Sequence, residues 1–221
     1  MFALAALALF SEAPVSQPPE AAALAFDISG RNYVMPLPSG YCVPQQLPVG
    51  ARGDQSSAAG VIVANLAYIQ NCQTANEGGG NLRFIHLKYL KNFDPGAPSR
   101  GAYLDAAAKQ MGSTAYVGQQ ESEAFADRVE SRMEGATGKK IDAQISAVHL
   151  GRDDLCVYQA RTMKIALAGN AVGALRMVSC TTWINGRVAS IDIGSPSDGG
   201  LGFGAMLREL RAVAASIAPS K

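Results

Sequence analysis

The stretch "SCTTWINGRVASIDI", Ser179–Ile193, decides the fold. Asn185-Gly186 lies at its centre. Both central residues of a type I′ turn need positive φ, which Asn and Gly adopt at least cost. A turn there sets Trp183 against Val188, Thr182 against Ala189 and Cys180 against Ile191. One face of the hairpin then carries Val178, Cys180, Thr182, Ala189, Ile191 and Ile193. The other carries Ser179, Thr181, Ser190 and Asp192, and reads as the wetter face.

Working outward, Leu155–Leu167 and Ala174–Asn185 read as consecutive antiparallel strands with a turn near Ala168. A preceding strand, Ile145–Leu150, carries His149 and joins them through "GRDD". After "GSPSDGG" breaks the sheet, Phe203, Met206, Leu207, Leu210, Val213, Ala214 and Ile217 recur at helical spacing, which predicts an amphipathic helix over 203–217. Ser99 caps a second helix through Met111, with Leu104, Ala107, Ala108 and Met111 facing inward. A third runs from Glu121 to Glu134, with Phe125, Val129 and Met133 on one side. In the N-terminal half, Arg31–Met35 and Leu82–Leu90 read as strands. Asp54 or Ser56 is expected to cap a helix running toward Ile69, and "NEGGGN" is a turn. No repeat or long linker divides the chain. The expectation is a single α+β domain over 26–221: an antiparallel β-sheet meander packed by amphipathic helices.

Residues 1–25 read differently. Ala3–Phe10 is an apolar run of signal-peptide length, too short to span a bilayer. Ser11-Glu12-Ala13 and Ala23-Leu24-Ala25 both fit a small-x-small cleavage site. The usual cationic start is missing, since the first Lys or Arg is Arg31, and Pro14 would hinder cleavage after Ala13. A signal-peptide-like leader and a disordered Ala/Pro-rich arm are the two readings. Both leave residues 1–25 outside the folded core.

The four cysteines are Cys42, Cys72, Cys156 and Cys180. None forms a C-x-x-C pair, and neither His86 nor His149 lies near one in sequence, so zinc spacing and thioredoxin-like spacing are absent. An even count behind a candidate export signal favours disulfides. Cys42–Cys72 would close a loop worth about 3–4 kcal/mol in the chain-entropy picture. Cys156–Cys180 would join adjacent strands, with two reduced core thiols as the alternative.

Net charge is +1, which argues against nucleic acid or an anionic membrane as a chain-wide partner. Only Lys139-Lys140 is a contiguous cationic pair. Arg52-Gly53-Asp54 matches an integrin tripeptide, but Asp54 as a helix cap explains it better. "NEGGGN" and "GATGKK" lack phosphate-loop spacing, and no G-x-S-x-G elbow occurs. The serines of "GSPSD" (Gly194–Asp198) read as capping residues. Asp153-Asp154 is a turn pair that could contribute to a calcium or magnesium site only with oxygens from elsewhere. Glu121, Glu123, Asp127, Glu130 and Glu134, with Arg128 and Arg132, read as a solvated, self-paired face. No catalytic, metal-ligating or cofactor-binding motif is present, and no cofactor is expected. His86 and His149 are the only near-neutral bases and the weak functional candidates. For each, a hydrogen-bonded structural role is the leading reading.

The layout resembles a known architecture. "LPSGYC" (Leu37–Cys42), "NC" (Asn71-Cys72), "SRGAYLDAAAKQM" (Ser99–Met111), "LGRDDLCVYQA" (Leu150–Ala160) and "WINGRVASIDI" (Trp183–Ile193) carry the resemblance. Together they are similar to small exported proteobacterial proteins of unknown function with a Mog1/PsbP-like α/β/α sandwich. That resemblance implies fold only. The expected function is an exported, periplasmic or secreted, non-catalytic accessory protein binding another protein or a small ligand. One alternative is an enzyme with a site of scattered residues around His86 or His149, which needs one histidine in a cleft and hydrogen-bonded to a carboxylate. Another is a cytoplasmic α+β interaction module. Association through the face around Trp183 and Val188 is a weaker option.

Overall fold

In a computed structural model of the chain, the Asn185-Gly186 turn forms with φ of 50° and 73°. It joins β9 (Asn170–Ile184) to β10 (Arg187–Pro196) in the expected register: Trp183 opposite Val188, Thr182 opposite Ala189, Cys180 opposite Ile191. The structure describes residues 22–48, 51, 53–56, 60–73, 83–112, 141–167 and 170–220, with scattered residues between 126 and 140. The meander continues through β8 (Val157–Leu167) and β7 (Ile141–Arg152). The expected turn at Ala168 lies outside the described residues, although Leu167 pairs with Asn170 across it. β7 is longer than the sequence predicts. It absorbs Gly151 and Arg152 through a bulge after His149. The tight turn therefore starts at Asp153, whose Oδ1 accepts from the N–H groups of Leu155 and Cys156 at 2.8 and 2.9 Å.

The N-terminal half carries the main correction. The segment expected as a helix toward Ile69 holds β4 (Gln55–Ser56) and the long β5 (Ile62–Asn71). "VIVANLAYIQ" is rich in β-branched and aromatic residues. β6 (Phe84–Leu90) offers it a full row of partners, and tertiary pairing overrides the local alanine preference. Asp54 caps no helix and instead pairs with Lys91 at 3.1 Å. The large sheet runs β3 (Tyr41–Cys42), β5, β6, β10, β9, β8, β7, with β4 sharing the outer edge of β5. A small sheet joins β1 (Ala23–Ile28), β2 (Arg31–Pro36) and β11 (Ala218–Pro219). Leu24 pairs with Met35, so Ala23–Ala25 take part in this sheet.

Two helices enclose the large sheet. α2 (Phe203–Ser216) lies on one face, where Met206, Leu210 and Val213 bury against Val178, Cys180, Ile191 and Ile193. Phe26, Ile28, Tyr33 and Met35 of the small sheet complete this core. On the opposite face α1 (Arg100–Gly112), capped by Ser99 as expected, packs Tyr103, Leu104 and Ala107 on Val157 and Val188. Val188 is therefore covered and offers no surface for association. Of the expected helix over 121–134, Ala126, Asp127, Glu130, Ser131 and Glu134 are described, and these are helical. "NEGGGN" lies outside the described residues.

Both disulfides form as the sequence favours: Cys42–Cys72 with Cα atoms 5.1 Å apart, and Cys156–Cys180 at 5.2 Å. The first ties the "LPSGYC" turn to the end of β5. The second is fully buried in the main core.

Candidate functional site

Register brings both histidines onto one rung. Tyr68 pairs with His86, His86 with Asp192, Asp192 with Ser179, Ser179 with Gln159 and Gln159 with His149. Directly opposed residues share a face, so this polar rung crosses β5, β6, β10, β9, β8 and β7 on the side where α1 packs. The hairpin's polar face is not wet here. Ser179 and Asp192 are each only 5% exposed, because the helix layer closes over that side of the sheet.

His86 is held as a neutral donor. Its Nε2 lies 2.7 Å from Asn65 Oδ1. Asn65 Nδ2 donates to the Gly53 carbonyl, which leaves Oδ1 as the acceptor and places the histidine proton on Nε2. Burial, reinforced by the positive charge of Lys88 and only partly offset by Asp192, lowers the imidazole to about 4. Tyr68 meets the ring edge-on at 5.5 Å. Asp192 takes the ammonium of Lys88 at 2.5 Å. Burial alone would raise its carboxyl, but Lys88 and the more distant Arg161 outweigh this and hold it below the usual carboxylate value.

His149 stands four strands from His86, roughly 19 Å at the usual strand spacing. Its Nδ1 is buried and has no hydrogen-bond partner among the described residues. Gly112 at the end of α1 faces the ring, where an added Cβ would lie 3.6 Å from Cδ2, an ordinary van der Waals distance. The two histidines cannot act on one substrate atom. Among the described residues neither has the carboxylate partner that the enzyme alternative requires.

The other acidic candidates are engaged in the fold. Asp153 takes two backbone N–H groups, the Tyr158 hydroxyl at 2.9 Å and Arg211 of α2 at 2.8 Å, so it has no coordination capacity left for a divalent ion. Arg128 and Arg132, the expected partners on that face, lie outside the described residues, whereas the carboxylates of Glu130 and Glu134 are engaged with the fold. They accept from Ala143 and Ile141 at 2.8 and 3.0 Å, capping open N–H groups of the edge strand β7. Within "GSPSD", Ser195 is buried and its Oγ accepts from the Leu201 N–H at 2.9 Å, which fixes the approach to α2. Arg83 joins Glu209 of α2 and lies 5.1 Å from the Tyr41 ring centre, locking the "LPSGYC" turn to the helix.

Sequence reasoning missed Lys88 and Asn65. Alternation in "FIHLKYL" already places Lys88 on the His86 face. Asn65 was hidden by the helix expected over β5.

The open surface is elsewhere. α2 covers β9 and β10 but does not reach the far end of β7 and β8. There Val148 and Leu150 are 60% and 41% exposed. Toward the other end of these two strands a cleft of about 460 Å³ opens, lined by Asp142, Gln144, Lys164, Ala174, Ser197 and Asp198 among others. Neither histidine lines it. No cluster of metal-ligating side chains occurs among the described residues. No helix among them is long and apolar enough to cross a membrane.

No family model and no curated protein matches the chain. Among solved structures it is similar to cyanobacterial PsbP (CyanoP) from Synechocystis sp. PCC 6803. The two are 14% identical, with 96% of this chain and 99% of that one covered, at a TM-score of 0.40. The sequence resemblance was to this same PsbP-like α+β layout.

Proposed function

We propose that the chain is an exported, non-catalytic accessory or binding protein. The observation that carries this reading is the closed state of the histidine rung. His86 is neutral and bonded to an amide, its facing carboxylate is neutralised by Lys88, and His149 packs against a helix end. General base chemistry needs the reverse: an accessible imidazole tuned near working pH. The two disulfides support export, because such crosslinks persist in oxidising compartments. The mixed-charge cleft at the start of β7, and the exposed Val148 and Leu150 further along that strand, supply the contact surface.

The test replaces both histidines, His86→Gln with His149→Gln, and asks whether the gene still rescues the phenotype of its deletion. Full rescue by a folded double variant is expected. Loss of rescue without loss of fold returns the enzyme reading. Intact-mass measurement of protein from its own host, unreduced and then reduced, reports the mature N-terminus and the crosslinks together. Four free thiols on full-length material would favour the cytoplasmic alternative.

A further inference from the structure

β7 ends the large sheet, so one of its edges has no strand beside it among the described residues. On such an edge the N–H groups of alternate residues point outward. Ile141 and Ala143 are two of them, and the carboxylates of Glu134 and Glu130 accept from them at 3.0 and 2.8 Å. The register against β8 is unbroken from Ile141 to His149, so Ile145, Ala147 and His149 point the same way. Their N–H groups meet no partner among the described residues. One half of the edge is therefore closed and the other is open. Edge strands that avoid pairing commonly carry a lysine or a proline. β7 has neither. Val148, within the open half, is the most exposed large apolar side chain among the described residues. The carboxylate of Asp142 and the guanidinium of Arg152 lie at opposite ends of the strand. Arg152 also holds the exposed Asp105 at 2.6 Å.

We infer that the open half of β7 pairs antiparallel with β7 of a second copy of this chain, about a two-fold axis at Ala147. That axis sets Ile145 opposite His149 of the partner subunit and Ala147 opposite its own counterpart, and each pair exchanges both backbone hydrogen bonds. All of the open donors are then satisfied. Ser146 faces Val148 of the partner subunit, and the two valines meet diagonally across the axis. Antiparallel pairing brings each Asp142 toward Arg152 of the partner subunit, whereas a parallel strand would set like charges together. The glutamate caps limit the slide of the pair in one direction, and the bulge after His149 limits it in the other. The inference assigns an occupant to the Val148 part of the contact surface proposed above. It rests on that surface, and not on export or on the absence of catalysis.

Sedimentation equilibrium of the intact, oxidised protein, carried up to millimolar concentration, tests this with two variants. Ala147→Pro removes the N–H at the axis and spares the ladder to β8, because that N–H points outward. Val148→Lys places a charge on the open edge. The wild type is expected to show a monomer–dimer equilibrium. Each variant is expected to weaken it roughly tenfold or more, since the axis repeats every loss in both halves. Circular dichroism checks that each variant keeps its fold, and Val148→Lys alters only an exposed side chain. Hydrogen exchange followed by NMR reads the same contact residue by residue: the amides of Ile145, Ala147 and His149 should slow as concentration rises. A wild type that stays monomeric, a dimer undisturbed by either folded variant, or exchange at those amides that ignores concentration overturns the assignment. The histidine rescue test bears on catalysis alone, so it stands whichever result is found here.

Discussion

His86 and Asp192 lie directly opposite each other on β6 and β10, yet each takes its hydrogen bond from another residue. The imidazole donates to Asn65 and the carboxylate accepts from Lys88. A histidine facing an aspartate would ordinarily suggest a catalytic pair. Here the lysine two residues along β6 takes the carboxylate and repels a proton from the imidazole, so both groups serve packing.

This arrangement has a pH signature. The folded protein holds His86 at about 4, below the ordinary 6.5, so the unfolded chain binds a proton that the folded chain refuses between those values. Stability is full above about pH 6.5 and falls as pH drops toward 4, with a slope approaching about 1.4 kcal/mol per pH unit. Asp192 and Asp153 are held below the ordinary 3.8, and their contribution is lost only at lower pH. Urea unfolding of wild type and His86→Gln across this range checks the point. The variant should be flat between pH 6.5 and 4, and a wild type that is equally flat would refute the buried neutral imidazole.

Asp192→Asn should destabilise by about 3 kcal/mol, because it strands the Lys88 charge against a buried surface. Adding Lys88→Met should recover most of that loss, since the charge left without its counter-ion is then gone. Non-recovery in the double variant would show that Asp192 matters for something other than its lysine. Denaturant midpoints measure both.

The two disulfides should differ in reducibility, not in loop entropy. Their sequence separations are 30 and 24, so removing either by paired alanine substitution should cost about 3 kcal/mol. Cys42 and Cys72 are half-buried, whereas Cys156 and Cys180 are fully enclosed. Under native conditions, thiol trapping with timed mass measurement should therefore find Cys42 and Cys72 reduced first.

Asn185 does two things at once. It holds φ of 50° at the hairpin turn, and its Nδ2 donates to the Ile28 carbonyl at 2.8 Å, joining the hairpin to β1. Asn185→Gly should keep the turn and lose about 1 kcal/mol, the bond to Ile28. Asn185→Ala should lose that and a further 1–2 kcal/mol or so, because alanine resists positive φ. Equal thermal unfolding of the two variants would refute the division.

The C-terminal meander, its register, α1 and α2 were legible in the linear order of residues, because the turn, caps and periodicity there are local. A two-residue turn dictates the pairs beside it, and an apolar stripe dictates which side of a helix is buried. The cysteine pairings followed from the same local geometry. β5 was not legible, because its alanine-containing run takes its conformation from β6, a partner that local periodicity does not reveal. Nor could the chain order show that His86 and His149 share a rung, or that Lys88 takes the carboxylate facing His86. Those relations depend on four successive strand registers and on the helix layer that closes over them. Only the assembled sheet sets the local dielectric, and that dielectric determines whether a histidine is a base or part of the core.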